Sequence, residues 1–191
     1  MGKREFHALK ASLLFLKFGE KPALGREYFL SGCEAFLEKE EMEELEKALL
    51  TVPEKAPDAS GKDAYSSFIR FEMTLRNTLA SLRAGRLAGG ENQNWKREED
   101  SWESAAAALA AVAFQEKNPR EREYILDKGR WDILDEMEFG HEWDFDALLI
   151  YFLKLQILEK WEGRTLEKAI PNLEKAVKES EKTPGTLEEN Q

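Results

Sequence analysis

One cysteine and two histidines are all that this 191-residue chain brings to thiol and imidazole chemistry. Cys33 alone closes no disulfide within the chain, which fits a reducing compartment. It lies in an amphipathic segment with no histidine near it in sequence, so it reads as a buried inert thiol and not as a nucleophile. Long apolar runs are missing too. Leu13, Leu14, Phe15 and Leu16 stand between lysines, too few to span a bilayer and without a cleavage-type ending. A cytoplasmic protein is expected, with no membrane insertion of its own. Glycine is not arranged for phosphate either: Gly85, Gly89 and Gly90 follow a helical pattern, whereas a phosphate loop follows a strand and leads into a Lys-Ser or Lys-Thr pair. Strand-type alternation bounded by hairpin turns does not occur, and no repeat of fixed period is visible. The chain is therefore expected to be all-α.

Acid is what the sequence has in plenty. Lys and Arg number 28 against 38 Asp and Glu, a net charge of -10, so free nucleic acid and anionic lipid are repelled by the chain as a whole. A composition of 42% hydrophobic and 35% charged residues belongs to a folded globular chain, one large domain or two small ones.

The apolar spacing then predicts a bundle of roughly six to eight helices. Residues 5–18 are apolar with Lys10 and Lys17 interspersed, and leave helix and extended chain both open. Tyr28, Phe29, Cys33, Phe36 and Leu37 form a helical stripe between Arg26 and Leu37; Met42, Leu45, Leu49 and Leu50 form another between Glu40 and Leu50. Pro53, Pro57, Ser60 and Gly61 mark a loop, and a polar loop follows at 89–94. Trp102, Ala105, Ala106, Leu109 and Ala113 line the next helix, with Val112 beside them, and the small residues 105–108 let a neighbouring helix approach closely. After Asn118-Pro119 a helix carrying Tyr124, Ile125, Trp131, Ile133, Leu134 and Met137 is expected to break near Gly129 and to end at Gly140. Asp144 should cap the most apolar helix of the chain, Phe145 to Trp161, which belongs at the centre of a bundle. A charged helix over 165–180, interrupted at Pro171, should follow. The expected organisation is one helical domain over 1–183, with a division into two helical subdomains near 86–95 left open as the alternative, and a disordered tail at 184–191.

The stretch from Tyr65 to Arg86 has charges inside its apolar stripe. Phe68, Glu72, Leu75, Leu79 and Leu82 recur at helical spacing, which puts Glu72 in line with core residues and Arg76 one turn further on. Glu72 and Arg76 are expected to form a structural ion pair, either in the core or at an exposed helix edge. Arg76 and Arg83 share a helix face with Arg86 nearby, a basic line that is either a solvated face or a dock for an acidic protein surface. Trp95, beside a polar loop and followed by Lys96-Arg97, is a further candidate partner contact. The other tryptophans lie on or beside predicted helices, where packing accounts for them.

Catalytic parts are few. Glu138-Phe139-Gly140-His141 has the Glu-x-x-His spacing of helical metal sites, but a di-iron site needs that unit twice, and Gly140 stands where the helix should stop. His141, Glu142, Asp144 and Asp146 supply oxygen ligands without a calcium-loop pattern; helix capping and solvation explain them better. No catalytic residue, metal or cofactor is expected, and the competing enzyme reading is a small helical metal-dependent site around Glu138, His141 and Asp144.

Three passages resemble a known family in order and spacing: Phe15-Leu16-Lys17-Phe18-Gly19-Glu20-Lys21-Pro22, Phe71-Glu72-Met73-Thr74-Leu75-Arg76-Asn77, and the stretch Phe145 to Leu158. They are similar to the DUF2764 proteins, an uncharacterised bacterial family encoded among V/A-type ATPase subunits. The Phe-Glu…Leu-Arg-Asn helix is also similar to helices of the C (or d) subunit, which joins the central rotor of that ATPase to its membrane ring; this chain is shorter than that subunit. The resemblance implies a non-catalytic helical subunit or assembly partner, in contact with the rotor stalk or the proteolipid ring and held peripherally at the inner face of the membrane by protein contacts. A generic cytosolic helical adaptor is the remaining alternative.

Overall fold

In the computed structural model of the chain, residues 6–50, 61, 63–87 and 101–163 are described. Among them are seven helices and no strand, as expected of an all-α chain: α1 (His7–Ser12), α2 (Arg26–Cys33), α3 (Lys39–Lys47), α4 (Ala64–Leu87), α5 (Ser101–Gln115), α6 (Pro119–Glu138) and α7 (Phe145–Glu162). No helix among the described residues is long and apolar enough to cross a membrane. The expected loop from Pro53 to Gly61, apart from Gly61 itself, the polar loop at 89–94, Trp95, the helix over 165–180 and the tail all lie outside the described residues.

α7 is the hub. From Asp146 to Leu158 every residue but Tyr151 is buried, which follows from apolar side chains on all sides of the helix. One side, through Ile150, Leu153, Ile157 and Leu158, joins the apolar cluster of α4, α5 and α6. The other side, through Leu148, Leu149, Phe152 and Leu155, joins a second cluster with Phe6, Leu9, Phe29, Cys33 and Leu45 from α1, α2 and α3. Each fully buried leucine, isoleucine or phenylalanine in these clusters contributes on the order of 1.5–3 kcal/mol.

The ends of the helices are held by side chains. Asp144 Oδ1 accepts from the Ala147 amide at 3.2 Å, the cap expected of it. Asp146 Oδ1 reaches across to the Ala64 amide at the start of α4, at 3.0 Å. Asn118 caps α6 through Arg120 N at 2.9 Å, with Pro119 at the first helical position. Gly140, at φ +87°, turns the chain after α6 through a conformation that glycine adopts without strain.

Several boundaries differ from the expected ones, each for a packing reason. The opening segment divides, with helix over α1 and irregular chain from Leu13 to Lys17. α2 stops at Cys33, whose carbonyl accepts from both Phe36 N and Leu37 N at 2.9 Å and tightens the chain into a turn. Only Phe29 and Cys33 of that stripe are buried; Tyr28 and Phe36 are exposed. α3 stops at Lys47 because Gln156 of α7 takes the next backbone groups, donating Nε2 to Ala48 O at 2.8 Å and accepting Leu50 N at 3.4 Å. Leu49 is left exposed, as is Val112 on α5. α6 runs unbroken through Gly129. A Cβ there would collide with the side chain of Leu109 of α5, so the glycine serves close packing between two helices and not a break. Ala106, Ala110 and Ala113 face inward from α5 with no exposed surface.

Candidate functional site

Charged residues from four elements converge on a cleft of about 650 Å³. Glu72 and Arg76 come from α4, Glu123, Asp127 and Arg130 from α6, Gln156, Glu159 and Lys160 from α7, and Arg26 from the first turn of α2. Leu49 and Leu50 add an apolar edge. The cleft falls within the usual size range of small-ligand sites.

Glu72 has no exposed surface, as its place in the apolar stripe of α4 requires. The expected pair with Arg76 forms, Nε to Oε1 at 3.0 Å, but Arg76 is itself 47% exposed. The principal counter-charge is Arg130, which donates Nε to Glu72 Oε2 at 2.9 Å and Nη2 to Oε1 at 2.8 Å, the two-pronged geometry of a strong ion pair. Its Nη1 donates to Asp127 Oδ1 at 2.8 Å. Burial alone would lower the pKa of Arg130; the hydrogen bonds and charges of Glu72 and Asp127 outweigh it and push the value above the ordinary arginine range.

Asp127, also without exposed surface, is shared three ways. Besides Arg130 it accepts from Lys160 Nζ at 2.9 Å and from the indole Nε1 of Trp161 at 2.9 Å. Lys160 also pairs with Glu123. Glu159 binds Arg26 twice: Oε1 accepts the backbone amide at 2.6 Å and Oε2 meets Nε at 3.0 Å. Sequence spacing points to Arg76 but not to Arg26 or Arg130, because nothing local ties them to α4 or α7.

The remaining expected residues are placed as follows. Arg83 is exposed on α4. Arg86 lies 4.3 Å from the centroid of the Phe114 ring, a cation–π contact that ties the last turn of α4 to α5. Neither lines the cleft. Cys33 is fully buried, and burial pushes its thiol up to about 12, in keeping with an inert thiol.

Glu138 and His141 do not converge on one site. Glu138 turns to Lys10 at 2.8 Å and Lys154 at 2.5 Å. His141, beyond the helix end, meets Asp144 Oδ2 at 2.8 Å and Asp146 Oδ2 at 3.2 Å through Nδ1. The Glu138–His141–Asp144 grouping of the competing enzyme reading does not form; His141, Asp144 and Asp146 are instead the three groups among the described residues close enough to hold a cation. Each carboxylate already has one oxygen on a helix amide, Asp144 at α7 and Asp146 at α4. The cluster lies at the N-terminus of α7, where the helix dipole favours anions and opposes a bound cation. Helix-end hydrogen bonds account for both carboxylates, and His141 pairs with their remaining oxygens.

No protein-family model, curated protein or solved structure matches the chain. The likeness to the DUF2764 proteins therefore rests on the three passages quoted above. Two of them, in α4 and α7, supply walls of the cleft through Glu72, Arg76 and Gln156.

Proposed function

We propose that this chain is a non-catalytic helical subunit or assembly partner of a V/A-type rotary ATPase, acting by protein–protein contact near the rotor stalk and membrane ring. One observation carries the non-catalytic part: in the cleft, Glu72, Asp127, Glu123 and Glu159 are each held by a cation of the same cleft. A general base needs a lone pair free to take a proton, and a nucleophilic carboxylate needs an oxygen free to attack. Carboxylates fixed this way hold helices in register and present a shaped, charged surface. The choice of the ATPase as partner rests on the resemblance.

Affinity purification from the native host tests the reading. Rotor-stalk or proteolipid-ring subunits should be recovered with the chain at low salt. Recovery of the chain free of them under those conditions would refute it.

A further inference from the structure

Three carboxylates of the cleft are taken up by donors of the same cleft, while two of its guanidiniums keep donors. Glu72 accepts three N–H bonds from Arg76 and Arg130, Asp127 accepts from three donors, and both oxygens of Glu159 are taken by Arg26. On the donor side Arg130 is 12% exposed and fully engaged through Nε, Nη1 and Nη2. Arg26 and Arg76 differ from it. Each is 47% exposed; Arg76 donates Nε to Glu72 and the Nε of Arg26 stands 3.0 Å from Glu159 Oε2 as an ion pair, while neither Nη1 nor Nη2 of either donates a hydrogen bond to another described residue. A contact made through Nε keeps the outer edge of a guanidinium, the side that grips a carboxylate or phosphate with two parallel bonds, available to a ligand.

We infer that Arg26 and Arg76 are a pair of carboxylate-binding forks that take an acidic, amphipathic segment of a protein partner, with Leu49 and Leu50 meeting its apolar side chains. The cleft's four cations and four carboxylates cancel, so local attraction comes from the two exposed forks and not from a basic field. A long polyanion is repelled by the net charge of -10, whereas a short segment with few carboxylates feels that repulsion least. This inference rests on the protein-contact reading above and names the chemistry of the contact. It also moves the contact from the expected Arg83 and Arg86 to Arg26.

Fluorescence anisotropy of a fluorescein-labelled hexapeptide alternating glutamate and leucine tests it, with the glutamine–leucine hexapeptide as control. At low salt the acidic peptide should bind the full chain, and added salt should weaken it. The double variant Arg26→Gln/Arg76→Gln should lower affinity at least about tenfold, since each lost two-pronged contact involves charged hydrogen bonds. If that variant is unfolded by circular dichroism, Arg26→Lys/Arg76→Lys keeps both charges, removes both forks and should still weaken binding severalfold. Absence of peptide binding, equal binding of the glutamine control, or an unchanged affinity in a folded variant would overturn the inference. So would displacement of the peptide by equimolar inorganic phosphate, which would make the site one for a small anion. Failure of the two readings is distinguishable. ATPase subunits still recovered by the folded double variant would remove the cleft as the contact and leave the proposed function standing; Arg-dependent peptide binding without ATPase subunits would do the reverse.

Discussion

Replacing Arg130 by methionine should be among the most damaging single changes to this protein. The substitution keeps the length of the stem and removes three hydrogen bonds: two to Glu72 and one to Asp127. Both carboxylates are without exposed surface. Glu72 keeps only the 3.0 Å bond from Arg76, and Asp127 keeps Lys160 and Trp161. Removing one partner of a buried ion pair typically costs about 3–5 kcal/mol, because the survivor is a buried charge with too little compensation. For a chain of this size each kcal/mol moves the melting temperature by about 2–4 °C, so a fall of roughly 6–20 °C is expected. Urea denaturation followed by far-ultraviolet circular dichroism measures the loss, with an unchanged slope as evidence that the compactness of both states is preserved. Arg76→Gln, on the exposed side of the same carboxylate, should cost about 1 kcal/mol or less. The double variant Glu72→Met/Arg130→Met should be more stable than Arg130→Met alone, since taking away the stranded carboxylate removes the penalty. A loss below about 1 kcal/mol for Arg130→Met, or single effects that simply add in the double variant, would refute the claim that Arg130 holds Glu72 in the core.

Three further outcomes are expected. Gly129→Ala should be destabilising, because overpacking against Leu109 costs about 1–3 kcal/mol and exceeds the roughly 1 kcal/mol gained in helix propensity; in a Leu109→Ala background it should become stabilising, and four urea curves decide between this coupling and simple additivity. Cys33 should react with Ellman's reagent only after unfolding, since its thiol is buried and shifted up to about 12; stoichiometric labelling of the folded protein within minutes would contradict that. Burial would raise the pKa of Glu138, but hydrogen bonds and charges from Lys10 and Lys154 hold the carboxyl below its ordinary value of 4.5. Its ionised form therefore stabilises the fold fully above that value, and the contribution is lost as pH falls through the lower folded-state pKa. The stability difference between wild type and Glu138→Gln, read from urea midpoints across acidic pH, should be constant near neutrality and shrink in acid, and a flat difference would count against the Lys10–Glu138–Lys154 cluster.

What could be read from the sequence, and what could not, divides along the distance between partners. The helical spacing of Phe68, Glu72, Leu75 and Leu79 places a carboxylate in the core and offers Arg76 one turn away, and the structure has both. The all-round apolar pattern of α7 likewise announces a central helix. Those readings need only one helix and its period. Arg130 stands 58 positions from Glu72, and Arg26 stands 133 from Glu159. Their meeting depends on the register of α6 against α4 and of α2 against α7, which small interlocking features set: alanines facing inward on α5, Gly129 giving way to Leu109, and Gln156 drawing in the chain after α3. The same limit explains the misreading of Gly129, since a glycine that breaks a helix and one that admits a neighbouring leucine look identical in one dimension. It explains Glu138 as well, whose spacing to His141 suggested a metal while Lys10 and Lys154 lay 128 and 16 positions away. An acidic residue inside an apolar stripe thus states a requirement for a cation, and tertiary register decides which cation meets it. Here the less exposed guanidinium, Arg130, supplies two of the three hydrogen bonds to Glu72, and Arg76, the neighbour the helical period points to, supplies one.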